Sequence, residues 1–159
     1  MIPELKRKKQ EIPGEECVEI LKTEKRGVLS VNGADGYPYG MPMNHFYNEA
    51  DGCIYFHSGK GEGHRKAALE KNPKASFCVY DGGRQNPGEW ETHFRSVIVF
   101  GSVEMTEDPE VVREIGRKLS LKFTNDEESI RADIERSGPA TLILKLIPEH
   151  ICGKRVNES

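Results

Sequence analysis

No apolar run in this chain approaches the ~20 residues that a membrane-spanning helix needs. The stretch MIPELKRKKQEIPGEE at the N-terminus lacks the apolar segment of a secretory leader and turns from basic to acidic. Both features point to a cytoplasmic protein without a membrane partner. Cysteine is sparse and scattered. Cys17, Cys53, Cys78 and Cys152 form no C-x-x-C pair, which excludes a disulfide framework and a zinc ribbon. Cys53 and Cys78 lie in strand-like runs and read as small core hydrophobes. His45, His57, His64, His93 and His150 lack the i, i+4 spacing of a helical metal pair, so no metal is expected. A basic excess is also missing. The formal net charge of −3 argues against nucleic acid as a partner. The one basic cluster, Leu5 to Gln10, reads as part of a solvated, flexible N-terminal arm over residues 1–12. No G-x-S-x-G nucleophile elbow occurs, so no hydrolytic triad is expected.

What is present is a set of short β-like runs with turn chemistry between them. A first helix is expected over Pro13 to Glu24, with Glu15 and Glu16 at its positive end, Cys17, Ile20 and Leu21 as its apolar stripe, and Gly27 to end it. GVLSV (Gly27 to Val31), YGMPMNHFY (Tyr39 to Tyr47) and CIYFH (Cys53 to His57) then read as three strands of an antiparallel meander. Pro42 makes the second an edge or bulged strand. A short helix over His64 to Pro73 precedes a strand over Lys74 to Asp81. GGRQNPGEWETHF reads as a polar loop with little structure of its own. Its Trp90 reads as a partly buried anchor or as a cap on a pocket. Arg95 to Thr106 is a long β run with a bend at Gly101. Helices follow from Asp108-Pro109 to Ser120, with Val111, Val112, Ile115 and Leu119 as core stripe, and from Asn125 to Ser137. ATLILKLIPEHICGK closes a single domain, residues 1–159, as one more strand. Strands at this spacing suggest a barrel and not an alternating βαβ array.

The segment most informative about chemistry is IYFHSGKGEGHRKAALEKNP, Ile54 to Pro73. Gly59, Gly61 and Gly63 let backbone turn tightly and approach a ligand. The helix beginning near His64 aims free N–H groups and its positive dipole end at the loop. Lys60, His64, Arg65 and Lys66 add charge there. A phosphate needs that combination, and Arg65 can grip it bidentately. Neither G-x-x-x-x-G-K-[ST] nor G-x-G-x-x-G is present, so read alone the loop is equally an ordinary glycine connection.

Read with its neighbours, the segment resembles the flavin-binding split-barrel superfamily of pyridoxamine 5′-phosphate oxidase-like proteins, and within it the nitroimidazole-resistance branch. The features that carry the resemblance are Pro38 to Pro42, Ile54 to His57, Gly63-His64-Arg65, Asn72-Pro73, FRSVIVFGSVE (Phe94 to Glu104) and HICGKR (His150 to Arg155). The resemblance implies a mainly β fold with peripheral helices, a six-stranded antiparallel split β-barrel, and a homodimer with FMN at its interface. It implies that Met41, Pro42, Met43 and Asn44 run along the flavin ring. His57 and Ser58 would line the ribityl chain and ring, with His57 the candidate catalytic residue. Gly63, His64, Arg65 and Lys66 would hold the phosphate. His93, Arg95 and Ser96 would approach from the partner subunit, with Lys154 and Arg155 near the site. Residues that hold the substrate's phosphate in true pyridoxamine-phosphate oxidases have no counterpart. The implied activity is reduction of a small organic acceptor, such as a nitro compound, by a separate reductant. A non-catalytic flavin-binding protein and a haem- or deazaflavin-binding relative remain the alternatives.

Overall fold

The computed structural model describes residues 1–158. The fold is mainly β with four helices: α1 (Gly14–Thr23), α2 (His64–Lys71), α3 (Pro109–Ser120) and α4 (Glu127–Ser137). The strands are β1 (Arg26–Asn32), β2 (Pro38–Asn44), β3 (Phe46–Asn48), β4 (Cys53–Gly59), β5 (Lys74–Tyr80), β6 (Arg84–Gln85), β7 (Thr92–Thr106) and β8 (Thr141–Glu158). They form one antiparallel sheet in the order β2-β1-β5-β7-β8-β4-β3, with β6 beside β7. Six strands have seven residues or more, and β3 and β6 are short additions. That reconciles the expected six-stranded split barrel with the eight strands observed.

The expected meander does not form. The run Tyr39 to Tyr47 breaks at His45, and its halves lie at opposite ends of the sheet order, β2 beside β1 and β3 beside β4. His45 is fully buried at the break, and its Nε2 lies 2.7 Å from the Leu21 carbonyl oxygen. Lys122 Nζ donates to the carbonyl oxygens of Glu24 and His45 at 2.7 and 2.6 Å, tying α1, the break and the end of α3 together. Burial, with the Lys122 cation adding to it, pushes the His45 imidazole down to about 4, so it stays neutral.

Each helix follows from its sequence. Asp108 caps α3 through its side chain and Asp126 caps α4. Val112, Ile115 and Leu119 bury the α3 stripe over Cys53, Tyr55 and Ile143. The other side of β4, Ile54 and Phe56, enters the main core with Leu29, Phe77, Val99 and Leu146. This double cover explains why β4 reads as a continuous apolar run.

Several expectations need correction. Gly27 does not end α1, because the helix stops at Thr23 and the backbone is already extended at Glu24. Gly27 lies in β1 instead, where a Cβ would come within 2.4 Å of the Cys78 carbonyl oxygen. Cys78 is not in the core but sits half-buried on the outward face, in register with Val28 and Ile98. The polar loop supplies β6 and the start of β7, and Trp90 within it is 74% exposed, so it anchors nothing within the chain. The N-terminal arm is docked where it meets α1: Glu11 bridges to Lys154, and Ile12 is buried and donates its N–H to the Gly153 carbonyl. The bend at Gly101 holds, since the β7–β8 register shifts between Phe100 and Gly101. Among the described residues, no helix is long and apolar enough to cross a membrane.

Candidate functional site

The loop after β4 and the first turn of α2 form a cradle. Gly63 precedes the helix with extended backbone and gives it no side-chain cap. The first backbone hydrogen bond of α2 runs from the Ala67 N–H to the Gly63 carbonyl, so the N–H groups of His64, Arg65 and Lys66 are open to an incoming acceptor. A Cβ placed on Gly59, Gly61 or Gly63 meets nothing within 4 Å. None of these glycines has positive φ, so the turn itself does not need them. What they leave is open space over the helix N-terminus.

Arg65 reaches across the mouth of the curled sheet. Its Nη1 lies 3.7 Å from Met41 Sδ and 3.4 Å from Met43 Sδ on β2, and its Nη2 donates to Ser58 Oγ on β4. β2 and β4 are far apart in the sheet order, so this contact shows how strongly the sheet curls. Arg65 is half-buried, and burial pulls its guanidinium below the ordinary arginine value. No carboxylate pairs with it among the described residues. A desolvated arginine held by two sulfurs and a hydroxyl, with no carboxylate partner, has the chemistry to take an anion. His64 packs edge-on against Tyr39, with ring centroids 4.6 Å apart. Lys66 Nζ contacts the Lys60 carbonyl and Glu62 at 3.4 and 3.3 Å.

The structure therefore brings Met41, Met43, Ser58, Gly63, His64, Arg65 and Lys66 together. Pro42 lies between the two methionines and points outward, in register with Val28. β2 ends the sheet order, so the backbone groups facing away from β1 have no strand partner. His57 does not join the group. Strand alternation turns it away from Ser58. It lines, with Asn44, Leu119, Phe123 and Ile134, a cleft of about 270 Å³ under α3 and α4.

The remaining candidates lie along β7 and β8. Ser96 and Lys154 are direct partners, in register with Tyr80, on the outward face. His93 and Arg95 face the other side. Arg95 is committed: its Nε meets Asp81 Oδ2 at 2.8 Å and its Nη1 meets Glu16 Oε1 at 3.0 Å. Arg155 reaches the same Glu16 oxygen at 2.8 Å. Burial alone would raise the Asp81 carboxyl, but hydrogen bonds from the Arg95 side chain and from backbone N–H groups outweigh it and hold it below the usual value. Sequence spacing gave no sign of this clamp, because its partners are contributed by α1, the residue after β5, β7 and β8. A folded-state carboxylate held low adds stability that is complete above the unfolded value of about 3.9 and fades as pH falls through the folded value. Asp81→Asn is therefore expected to lower the melting temperature at neutral pH, with the gap to wild type closing as the solution is acidified below about pH 4. A gap that persists unchanged in acid would show that Asp81 acts by shape and not by charge.

A family model described as pyridoxamine 5′-phosphate oxidase matches residues 13–155. Among curated proteins no sequence matches significantly. The fold is similar to a candidate 5-nitroimidazole antibiotic resistance protein from Bacteroides thetaiotaomicron, at 21% identity over 92% of this chain and 87% of that one, with a TM-score of 0.76. A conserved hypothetical protein from Mycobacterium tuberculosis superposes with a TM-score of 0.80 at 17% identity, covering 95% and 90%. A FAD-binding protein from Mesorhizobium loti gives 0.64 at 21% identity, covering 92% and 97%. At such identities the likeness is one of fold.

Proposed function

The chain belongs to the pyridoxamine 5′-phosphate oxidase family, and on that premise we propose that it binds FMN and reduces a small organic acceptor, such as a nitro compound, at the expense of a separate reductant. The observation that carries this reading is Arg65, half-buried without a carboxylate partner beside open helix N–H groups. The cradle fits a phosphate: backbone donors, a cation and empty space above Gly59, Gly61 and Gly63 converge there. Bound FMN would supply the redox chemistry, and the chain's part is to hold and expose it. Arg65, Lys66 and the α2 amides bind the phosphate. The free backbone edge of β2 along Met41 to Asn44 would offer its N–H and C=O groups to the polar rim of the ring. Ser58 orients Arg65 through its hydroxyl. His57 opens to the separate cleft and has no part in holding the phosphate. Support for a flavin also comes from the Mesorhizobium loti relative, which is described as FAD-binding.

The second half of the site is assigned to another copy of the chain. Pro42, Val28, Cys78, Ile98 and Cys152 are consecutive cross-strand partners and form one row across the outward face. Phe100 and Tyr80 flank that row, and Ser96 and Lys154 stand on the same face. A mostly apolar strip with polar groups at one end suits a large permanent interface with a ligand at its margin. Ile98→Lys is expected to convert a dimer into a monomer by light scattering and to abolish flavin retention. A wild-type chain that runs as a monomer would contradict the assignment. The function itself is tested by the visible spectrum of the purified protein after gel filtration with FMN, followed by turnover with NAD(P)H and a nitro acceptor. Bound flavin with turnover supports the reading. Bound flavin without turnover leaves a carrier, and no bound flavin removes the proposal.

A further inference from the structure

We propose that Glu89, Glu91 and His93 form a divalent-metal site where the chain enters β7. The three residues alternate in sequence along the segment that leads from the turn at Asn86–Glu89 into β7, and their ligand atoms converge. Trp90, between the two glutamates, is 74% exposed. One carboxylate oxygen from each glutamate and one ring nitrogen of His93 lie within 4.8 Å of one another. Tetrahedral coordination with bonds of about 2.1 Å places donor atoms about 3.4 Å apart. His93 Nε2 and Glu89 Oε2 are 3.8 Å apart, so only a small closure is needed.

Two further observations point to an ion. His93 Nε2 is enclosed by protein and has no hydrogen-bond partner. A shielded ring nitrogen without a partner is unfavourable, and a metal would use that lone pair. Both carboxylates are already oriented by amides: Asn86 Nδ2 donates to Glu89 Oε2 and Asn157 Nδ2 donates to Glu91 Oε2, each at 2.9 Å. Asn86 holds the same Glu89 oxygen that faces His93, and Asn157 holds one Glu91 oxygen, so both carboxylates are oriented from outside the trio. One nitrogen and two hard oxygen donors suit zinc or cobalt(II) and disfavour copper(I). The exposed cation of Arg84, opposite His93 in the ladder, is outweighed by the two carboxylates. An ion here would join the Glu89–His93 segment to Asn157 on β8, independently of any flavin.

The test uses the full chain, stripped with a chelator and titrated with cobalt(II) and then zinc. Trp90 is the single tryptophan and reports binding by fluorescence. The expected result is one saturable equivalent per chain and a rise in melting temperature. His93→Gln and Glu91→Gln should each weaken binding at least tenfold. His150→Gln, at an exposed histidine outside the cluster, should leave it unchanged. Glu91→Gln keeps the side-chain shape and the Asn157 contact, so it remains informative if His93→Gln folds poorly. Absence of a saturable equivalent, equal binding by both cluster variants, or a thiolate-to-cobalt absorption band would each overturn the proposal. Flavin content, measured on the same samples, is a separate readout and decides nothing here.

Discussion

Arg65→Ala is expected to cut FMN affinity on the order of 100-fold, the loss of about two hydrogen bonds to a charged group. The same change should scarcely affect the stability of the flavin-free protein. Arg65 makes no ion pair there, and its cation is partly desolvated among Met41, Met43 and Ser58. Removing a group that is unfavourably placed without ligand costs the fold little, while the ligand loses its partner. An arginine kept in that position is better explained by binding than by packing. A flavin titration and a thermal melt of the variant check both halves. A large stability loss with unchanged FMN affinity would make Arg65 a structural strut and misplace the phosphate site.

Gly101→Ala should have the largest effect on the fold itself. A Cβ there would lie 2.1 Å from the Ile147 carbonyl oxygen and 2.9 Å from its carbon. Both are backbone atoms, so no side-chain rotation can relieve the clash. The β7–β8 pair would have to separate at the register shift, where it also carries Val99, Val103, Leu144 and Leu146 of the core. A cost of about 3 kcal/mol is expected, lowering the melting temperature by about 6–12 °C. Gly61→Ala is the contrast, because nothing lies within 4 Å of its Cβ position. Its melting temperature should match wild type. Equal melting temperatures for Gly101→Ala and wild type would mean that the bend is not rigidly held.

The sequence was most legible where its signals were local. Asp108-Pro109 and the Asn125-Asp126 pair marked helix starts, and Gly101 marked the bend, because capping, proline placement and bulges depend on near neighbours. The cradle from Ser58 to Lys66 was legible for the same reason: strand, loop and helix N-terminus are contiguous. Chain topology was less so. Nothing local at His45 announced that β2 and β3 part to opposite ends of the sheet, since that break is fixed by Leu21 and Lys122, remote in sequence. Gly27 read as a helix stop because the crowding that requires it comes from Phe77 and Cys78. The ion pairs of Arg95 with Asp81 and Glu16 were not legible, because Glu16 and Asp81 are distant from it along the chain. The Glu89–Glu91–His93 alternation was visible, but a segment read as a structureless loop has no faces on which to align it.

The central claim is that the cradle recognises a phosphate and that Arg65 is its anchor. The most direct measurement compares FMN with riboflavin, which lacks the phosphate, in the wild-type protein and in Arg65→Ala. Wild type should bind FMN on the order of 100-fold more tightly than riboflavin, and the variant should bind the two almost equally. Equal affinities in wild type, or a preference for FMN that survives loss of Arg65, would contradict the account.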